Sequence, residues 1–100
     1  MDKNLKLSVI IPVYNEENTV LDIVYKVQDV DIPKEIIIVN DCSTDNTKKM
    51  LDTLAHEDSI KIVHHSFNSG KGAAIQTAKD YITGDLVIIQ DADLEYDPAE

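Results

Sequence analysis

The sequence predicts an α/β fold built on a doubly wound, mostly parallel sheet. Three observations carry that prediction. Ile and Val supply 22 of the 100 residues, a bias toward buried strands. Four short apolar runs, nearly unbroken, recur along the chain. Between them lie segments whose apolar residues repeat at helical spacing. With right-handed crossovers, the order β-α-β-α-β-α-β gives a parallel sheet with helices on both faces.

The first run, Lys6 to Val13, reads KLSVIIPV and is stopped by Pro12 and the polar residues after it. Runs of this kind are expected to be strands covered on both faces. Val20, Leu21, Val24 and Val27 then mark one face of a first helix, with Glu16 and Glu17 expected in its first turn, where the dipole favours anions. Pro33 closes that connection, and Glu35 to Val39 (EIIIV) form the second strand. Ser43 or Asp45 is placed to cap a second helix, with Met50, Leu51 and Leu54 inward and Lys48 and Lys49 outward. The third strand is Ile60 to Val63. A third helix follows Gly72, with Ala74, Ile75, Ala78 and Ile82 inward and Gly84 as its C-terminal stop. Asp85 to Ile89 (DLVII) is the fourth strand. Asp97-Pro98 has the form of a new helix start. A domain seldom ends there, so residues 1–100 are expected to be the N-terminal part of a single domain, truncated on its C-terminal side.

Composition narrows the function. Leu, Ile, Val and Phe make up 30 residues, enough for a packed core. The formal charge is −10, from 19 acidic and 9 basic side chains, which argues against a nucleic-acid partner and suits a multivalent cation. One Cys excludes an internal disulfide and a four-Cys zinc site and fits a reducing compartment. No apolar run approaches the ~18 residues of a membrane span, and the N-terminus has no signal-peptide pattern.

In open α/β sheets, ligands bind outside the carboxyl ends of the strands. Four polar segments fall there: Pro12 to Glu16, Asn40 to Asp45, Asn68 to Gly72, and Asp91 to Glu95. In Asp91-Ala92-Asp93 the two carboxylates stand at i and i+2, so on extended chain they face one point, and Glu95 shares the phase. Acids held that close call for a cation between them, and Mg²⁺ or Mn²⁺ takes one or two carboxylates with water and phosphate oxygens. Gly70-Lys71-Gly72 opens a helix and puts a cation beside it, but it is neither the phosphate loop nor the dinucleotide fingerprint. Neutralising a diphosphate would therefore fall to a metal. Tyr14 is expected either to flank a base or ribose or to pack on the first helix. Glu16 and Asp41 read either as ligand contacts or as local helix and turn residues. As an ionised carboxylate, Asp41 would only accept hydrogen bonds. Cys42 reads as a small turn residue, and His64 and His65 as solvated residues at a strand end.

These four blocks, SVIIPVYNEENTV, EIIIVNDCSTDNT, NSGKGAAIQTA and GDLVIIQDADLEYDP, together resemble the N-terminal half of the family 2 glycosyltransferases, which have the GT-A, Rossmann-like fold. The likeness is strongest to the polyprenyl-phosphate hexosyltransferases of the dolichol-phosphate mannose synthase type. It implies a GDP- or UDP-linked sugar donor, a divalent metal (Mg²⁺ or Mn²⁺), inversion in one displacement, and a polyprenyl phosphate or glycan acceptor in cell-envelope assembly. It assigns Pro12, Tyr14 and Glu16 to a first nucleotide-contact block and Val39 and Asp41 to a second. Asp91, Ala92 and Asp93 complete the donor contacts that it implies, and Lys71, from the Gly70-Lys71-Gly72 loop, is a further candidate donor contact. Asp91, Asp93 and Glu95 are implied metal ligands, and Asp93 the catalytic position. It also implies a cytoplasmic protein working at the inner face of the membrane. Asn40 departs from the family's usual Asp, Glu95 from a frequent Gln, and Cys42 from a usual Gly, so that the turn at Cys42 is expected to avoid positive φ.

Other classes fit less well. A phospho-receiver-type Mg²⁺-binding module needs an acidic pair after strand one, where this chain has Pro-Val-Tyr-Asn-Glu. A nucleotidyltransferase needs a basic Gly-rich loop at the same place. A non-catalytic partner module is the remaining alternative. A sheet cut after its fourth strand leaves an uncovered edge, so self-association is expected.

Overall fold

The computed structural model describes residues 5–92. The four strands are β1 (Leu7–Val13), β2 (Lys34–Asn40), β3 (Ile60–His64) and β4 (Leu86–Ile89), and the helices are α1 (Val20–Asp29), α2 (Thr47–Asp52) and α3 (Lys71–Lys79). All strand pairs are parallel, in the order β3-β2-β1-β4. The chain thus winds outward from β1 to β3 and returns to the far side of β1 for β4. The strand order reverses between β1 and β4, and such a switch point opens a crevice at the carboxyl edge of the sheet.

Alternation along the strands divides the core. Val9, Ile11, Val13, Ile36, Ile38 and Ile60 pack with Val20, Ile23 and Val24 of α1 and with Leu51 and Leu54. Ile10, Ile37 and Val39 pack on the opposite face against Ala74 and Ala78 of α3. Those two alanines let α3 lie close to the sheet, while the larger residues of α1 and α2 fill the other layer. Burying each of the large aliphatic side chains in these layers contributes roughly 1.5–3 kcal/mol.

The elements match the sequence reading closely, with four differences. First, β1 and β2 are covered on both faces, but β4 is not: Leu86 is 57% exposed, and Val87, Ile88 and Ile89 are each 48% exposed. Second, α1 begins at Val20 with Thr19 as N-cap, so Glu16 and Glu17 precede the helix and Asp22 is the acid in its first turn. Third, α3 ends at Lys79, and Gly84 does not cap it. Gly84 instead passes so close to β1 that a Cβ there would lie 2.5 Å from Ser8 Oγ and 2.8 Å from the Lys6 carbonyl. Fourth, Cys42 adopts φ 60°, the left-handed turn conformation expected to be avoided. The helix start expected at Asp97-Pro98 lies outside the described residues. No helix among the described residues is long and apolar enough to cross a membrane.

Candidate donor-binding site

The switch-point crevice holds a cavity of about 400 Å³ lined by Pro12, Val13, Tyr14, Glu16, Asp41, Lys71, Ala74, Asp91 and Ala92. Its walls come from the loop after β1, the end of β2, the start of α3 and the end of β4. Pairing between β1 and β4 covers Leu7 to Ile10, where β4 ends, so the last residues of β1, from Ile11 onward, have no partner from β4. Pro12, which has no ladder donor, pairs with Val39 of β2 and has no partner on the β4 side.

The loops after β1 and β2 are stitched together. Thr44 N–H donates to Asn15 Oδ1 at 2.7 Å, Asn15 N–H to Ser43 Oγ at 3.0 Å, and Glu16 N–H to Thr47 Oγ1 at 3.0 Å. Asn15 has φ 53°, a conformation that Asn tolerates better than most residues. Asp45 Oδ1 accepts from both the N–H and the hydroxyl of Thr47. Burial alone would raise the Asp45 carboxyl; the bonds from Thr47 and from Glu17 N–H outweigh it and hold it low. Asp45 thus secures the start of α2, as one of the two caps considered, although Asn46 is the N-cap residue itself.

Asp41 is 3% exposed and faces a dense set of donors. Oδ1 accepts from Ser69 N–H at 2.8 Å and from His65 Nδ1 at 2.9 Å; Oδ2 accepts from Gly70 N–H at 2.7 Å. Burial would raise this carboxyl, but the hydrogen bonds from Ser69, His65 and Gly70 outweigh it and hold it below the usual carboxylate range. It is therefore a buried anion at neutral pH, fixed between β2 and the loop that opens α3.

His65 was expected to be solvated, and the structure corrects this. Its side chain is 15% exposed, and its Nε2 lies 2.8 Å from Thr77 Oγ1 on α3. Because ionised Asp41 only accepts, Nδ1 must carry the proton, and in the neutral ring Nε2 accepts from Thr77. Its neighbour His64 pairs with Asn40, whose amide nitrogen lies 3.0 Å from His64 Nδ1 while Asn40 Oδ1 accepts from Ser43. Burial and the nearby Lys48 ammonium lower the His64 pKa against the opposing pull of Asp52, which suits a neutral acceptor. An Asp at position 40 would have no N–H to give it. The sequence marked His65 only as a solvated strand-end residue and did not mark Thr77, because the contact between them spans two elements.

Also at the cavity, Lys71 Nζ contacts Asp91 Oδ1 at 2.5 Å, both side chains being more than half exposed. An exposed pair of this kind adds only ~0–1 kcal/mol, so it holds the groups together weakly and leaves them open to exchange. Ala92 is buried, and its carbonyl accepts from the Thr19 hydroxyl at 2.7 Å, tying the end of β4 to the start of α1. Thr19 Oγ1 also lies 3.2 Å from Glu16 Oε2. Tyr14 is 45% exposed at the mouth. Val39 is fully buried, packed with Ala74 and Ala78 rather than lining the cavity. Asp93 and Glu95 lie outside the described residues. Among the described residues no three His, Cys, Asp or Glu side chains gather around one point. Asp91 is the one carboxylate of the implied metal set among the described residues, and at the cavity it faces the Lys71 ammonium. A hard divalent ion that draws most of its shell from water and phosphate needs only one or two such ligands, so the donor set fits.

A parallel sheet with its polar residues gathered at a switch-point crevice defines a Rossmann-like α/β domain of the nucleotide-binding class. The chain belongs to glycosyl transferase family 2, whose family pattern matches residues 8–100. It is 42% identical over 96% of its length to an uncharacterised glycosyltransferase of Synechocystis, of which it covers 31%. It is 34% identical over 99% of its length to the undecaprenyl-phosphate 4-deoxy-4-formamido-L-arabinose transferase of Yersinia enterocolitica, of which it covers 32%. The chain thus spans about a third of the length of these curated relatives. Among solved structures, the mannosyltransferase PcManGT of Pyrobaculum calidifontis, in complex with GDP-Man and Mn²⁺, superposes with TM-score 0.82 at 31% identity, covering 92% of this chain and 29% of that one. Residues 1–349 of S. aureus TarS, in complex with UDP-GlcNAc, superpose with TM-score 0.80 at 30% identity, covering 89% and 27%. The neighbours therefore share the GT-A fold expected from the sequence.

Proposed function

We propose that the protein is a metal-dependent, inverting glycosyltransferase that moves a hexose from a nucleotide-diphosphate sugar to a polyprenyl phosphate. The observation that carries this reading is the switch-point cavity, where the buried anion Asp41 and the exposed pair Lys71–Asp91 line one space. A fixed acceptor and exchangeable charges in the same cavity suit a ligand with a hydrogen-bonding base and a diphosphate. The solved neighbours with UDP-GlcNAc and with GDP-Man and Mn²⁺ support such a donor, and the undecaprenyl-phosphate transferase relatives support a lipid-phosphate acceptor.

In this reading Asp41 accepts from the base or ribose, and Tyr14 flanks that group beside Pro12 and Glu16. Asp91, with Asp93 and Glu95 from the sequence, holds a divalent ion, and Asp93 is the catalytic position. The ion, when bound, supplies Lewis-acid stabilisation of the departing diphosphate. Lys71 leaves Asp91 for the phosphates and adds a second positive charge there. An acceptor phosphate oxygen is already anionic, so attack on the anomeric carbon needs little help from a protein base. The reaction would take place at the cytoplasmic face of the membrane.

Calorimetric titration with UDP and GDP, with and without Mn²⁺, tests the reading. Metal-dependent binding is expected, with Asp91→Ala removing most of the metal's contribution. Asp41→Asn should weaken binding roughly ten-fold or more, the loss of a charged hydrogen-bond acceptor. Binding indifferent to metal, or none to either nucleotide, would overturn it.

A further inference from the structure

Asp41 lines the cavity, yet most of its accepting capacity is used inside the protein. Oδ1 takes two donors, His65 Nδ1 and Ser69 N–H; Oδ2 takes one, Gly70 N–H. An ionised carboxylate has about four lone-pair positions, two on each oxygen. Oδ1 is therefore saturated, and Oδ2 keeps a single position for a ligand. The backbone donors are properties of the loop, but the His65 donor depends on a side chain that is itself anchored, at 2.8 Å, by Thr77 of α3.

Resting on the donor-site reading above, we propose that His65, braced by Thr77, is a positioning residue that sets base specificity: by filling Oδ1 it leaves Asp41 one acceptor, and so selects uracil over guanine. The edge chemistry of the two bases carries the argument. Uracil offers one ring N–H between two carbonyl acceptors, which a single open lone pair satisfies. Guanine offers its ring N–H and its amino group side by side, a pair that matches a carboxylate with both oxygens open. Against Asp41 one of those two donors would meet a filled oxygen and lose its water without gaining a partner.

Measured Kd values for UDP and GDP in the presence of Mn²⁺ test this on the native protein, His65→Leu and Thr77→Val. The native protein should prefer UDP by about ten-fold or more, the effect of leaving one donor unpaired in a desolvated site. His65→Leu frees Oδ1 and should narrow the ratio by improving GDP relative to UDP; Thr77→Val, which loosens the ring without removing it, should narrow it less. A merely structural role for His65 would weaken both nucleotides alike and leave the ratio unchanged. Equal affinities or a GDP preference in the native protein overturns the inference, as does an unchanged ratio in variants whose melting curves show them folded. If neither variant folds, the native ratio alone decides. Failure of the native protein to bind either nucleotide is a different result: it removes the donor-site reading itself, and this inference with it.

Discussion

The backbone N–H of Gly84 donates to Ser8 Oγ at 2.9 Å, and Ser8 in turn donates to Glu35 Oε2 at 2.6 Å. This relay joins β4, β1 and β2 at their amino ends, across the sheet from the cavity. Gly84→Ala should destabilise the fold by about 1–3 kcal/mol, the usual cost of forcing an extra methyl into a packed site. The atoms in the way include backbone at Lys6 and Ser8, which has little room to give. Urea denaturation checks this; an unchanged midpoint would show that the connection before β4 shifts freely.

Glu35 governs the acid limit of the same region. Burial would raise its carboxyl, but bonds from the Ser8 hydroxyl and from the N–H and hydroxyl of Thr83, with Lys6 nearby, bring it from 4.5 down to about 2. A carboxyl lowered on folding contributes stability that is complete above its unfolded value and lost as the pH falls toward the folded one. Stability should therefore decline between about pH 4.5 and pH 2. Glu35→Gln should cost about 1–3 kcal/mol at neutral pH, where a charged hydrogen-bond acceptor is lost. It should also make the acid decline shallower. Asp41 and Asp45, both lowered, keep part of that decline in the variant. Chemical denaturation at a series of pH values measures both effects, and an identical pH profile for the variant would exclude this role.

Cys42 sits at φ 60°, where a side chain costs roughly 1–2 kcal/mol that glycine avoids. Its thiol makes one weak contact, 3.6 Å from the Ser66 carbonyl. Cys42→Gly should raise stability by about 0.5–1 kcal/mol, because the extra freedom of glycine in the unfolded chain offsets part of the relief. A lower melting temperature would mean that the thiol contact outweighs the strain.

The exposed apolar side chains of β4 point to self-association of this chain. Among the described residues β4 pairs only with β1, and Leu86 to Ile89 are about half exposed. An apolar edge strand of this kind recruits other strands. Sedimentation should show mass rising with concentration, and Ile88→Lys should return the chain toward a monomer. A native chain that stays monomeric throughout the concentration range would contradict this.

Much of the fold was legible in the residues. Apolar runs of four to eight residues and apolar helical spacing located the seven elements among the described residues, since both patterns arise from local chain geometry. Polar residues gathered after each apolar run also pointed to the carboxyl ends of the strands as the place of a candidate site. Tyr14, Asp41, Lys71 and Asp91 do meet at one cavity. What the sequence did not contain was the strand order. Placing β4 beside β1 rather than β3 creates the crevice, and that choice depends on how the whole sheet packs. Nor did it reveal the anchoring of Asp41 by His65 and Thr77, 24 and 36 residues further along the chain. Local pattern reports what a residue does to its neighbours in sequence. Hydrogen bonds between a strand end and a helix depend on the distance between two packed elements, which the tertiary structure alone sets.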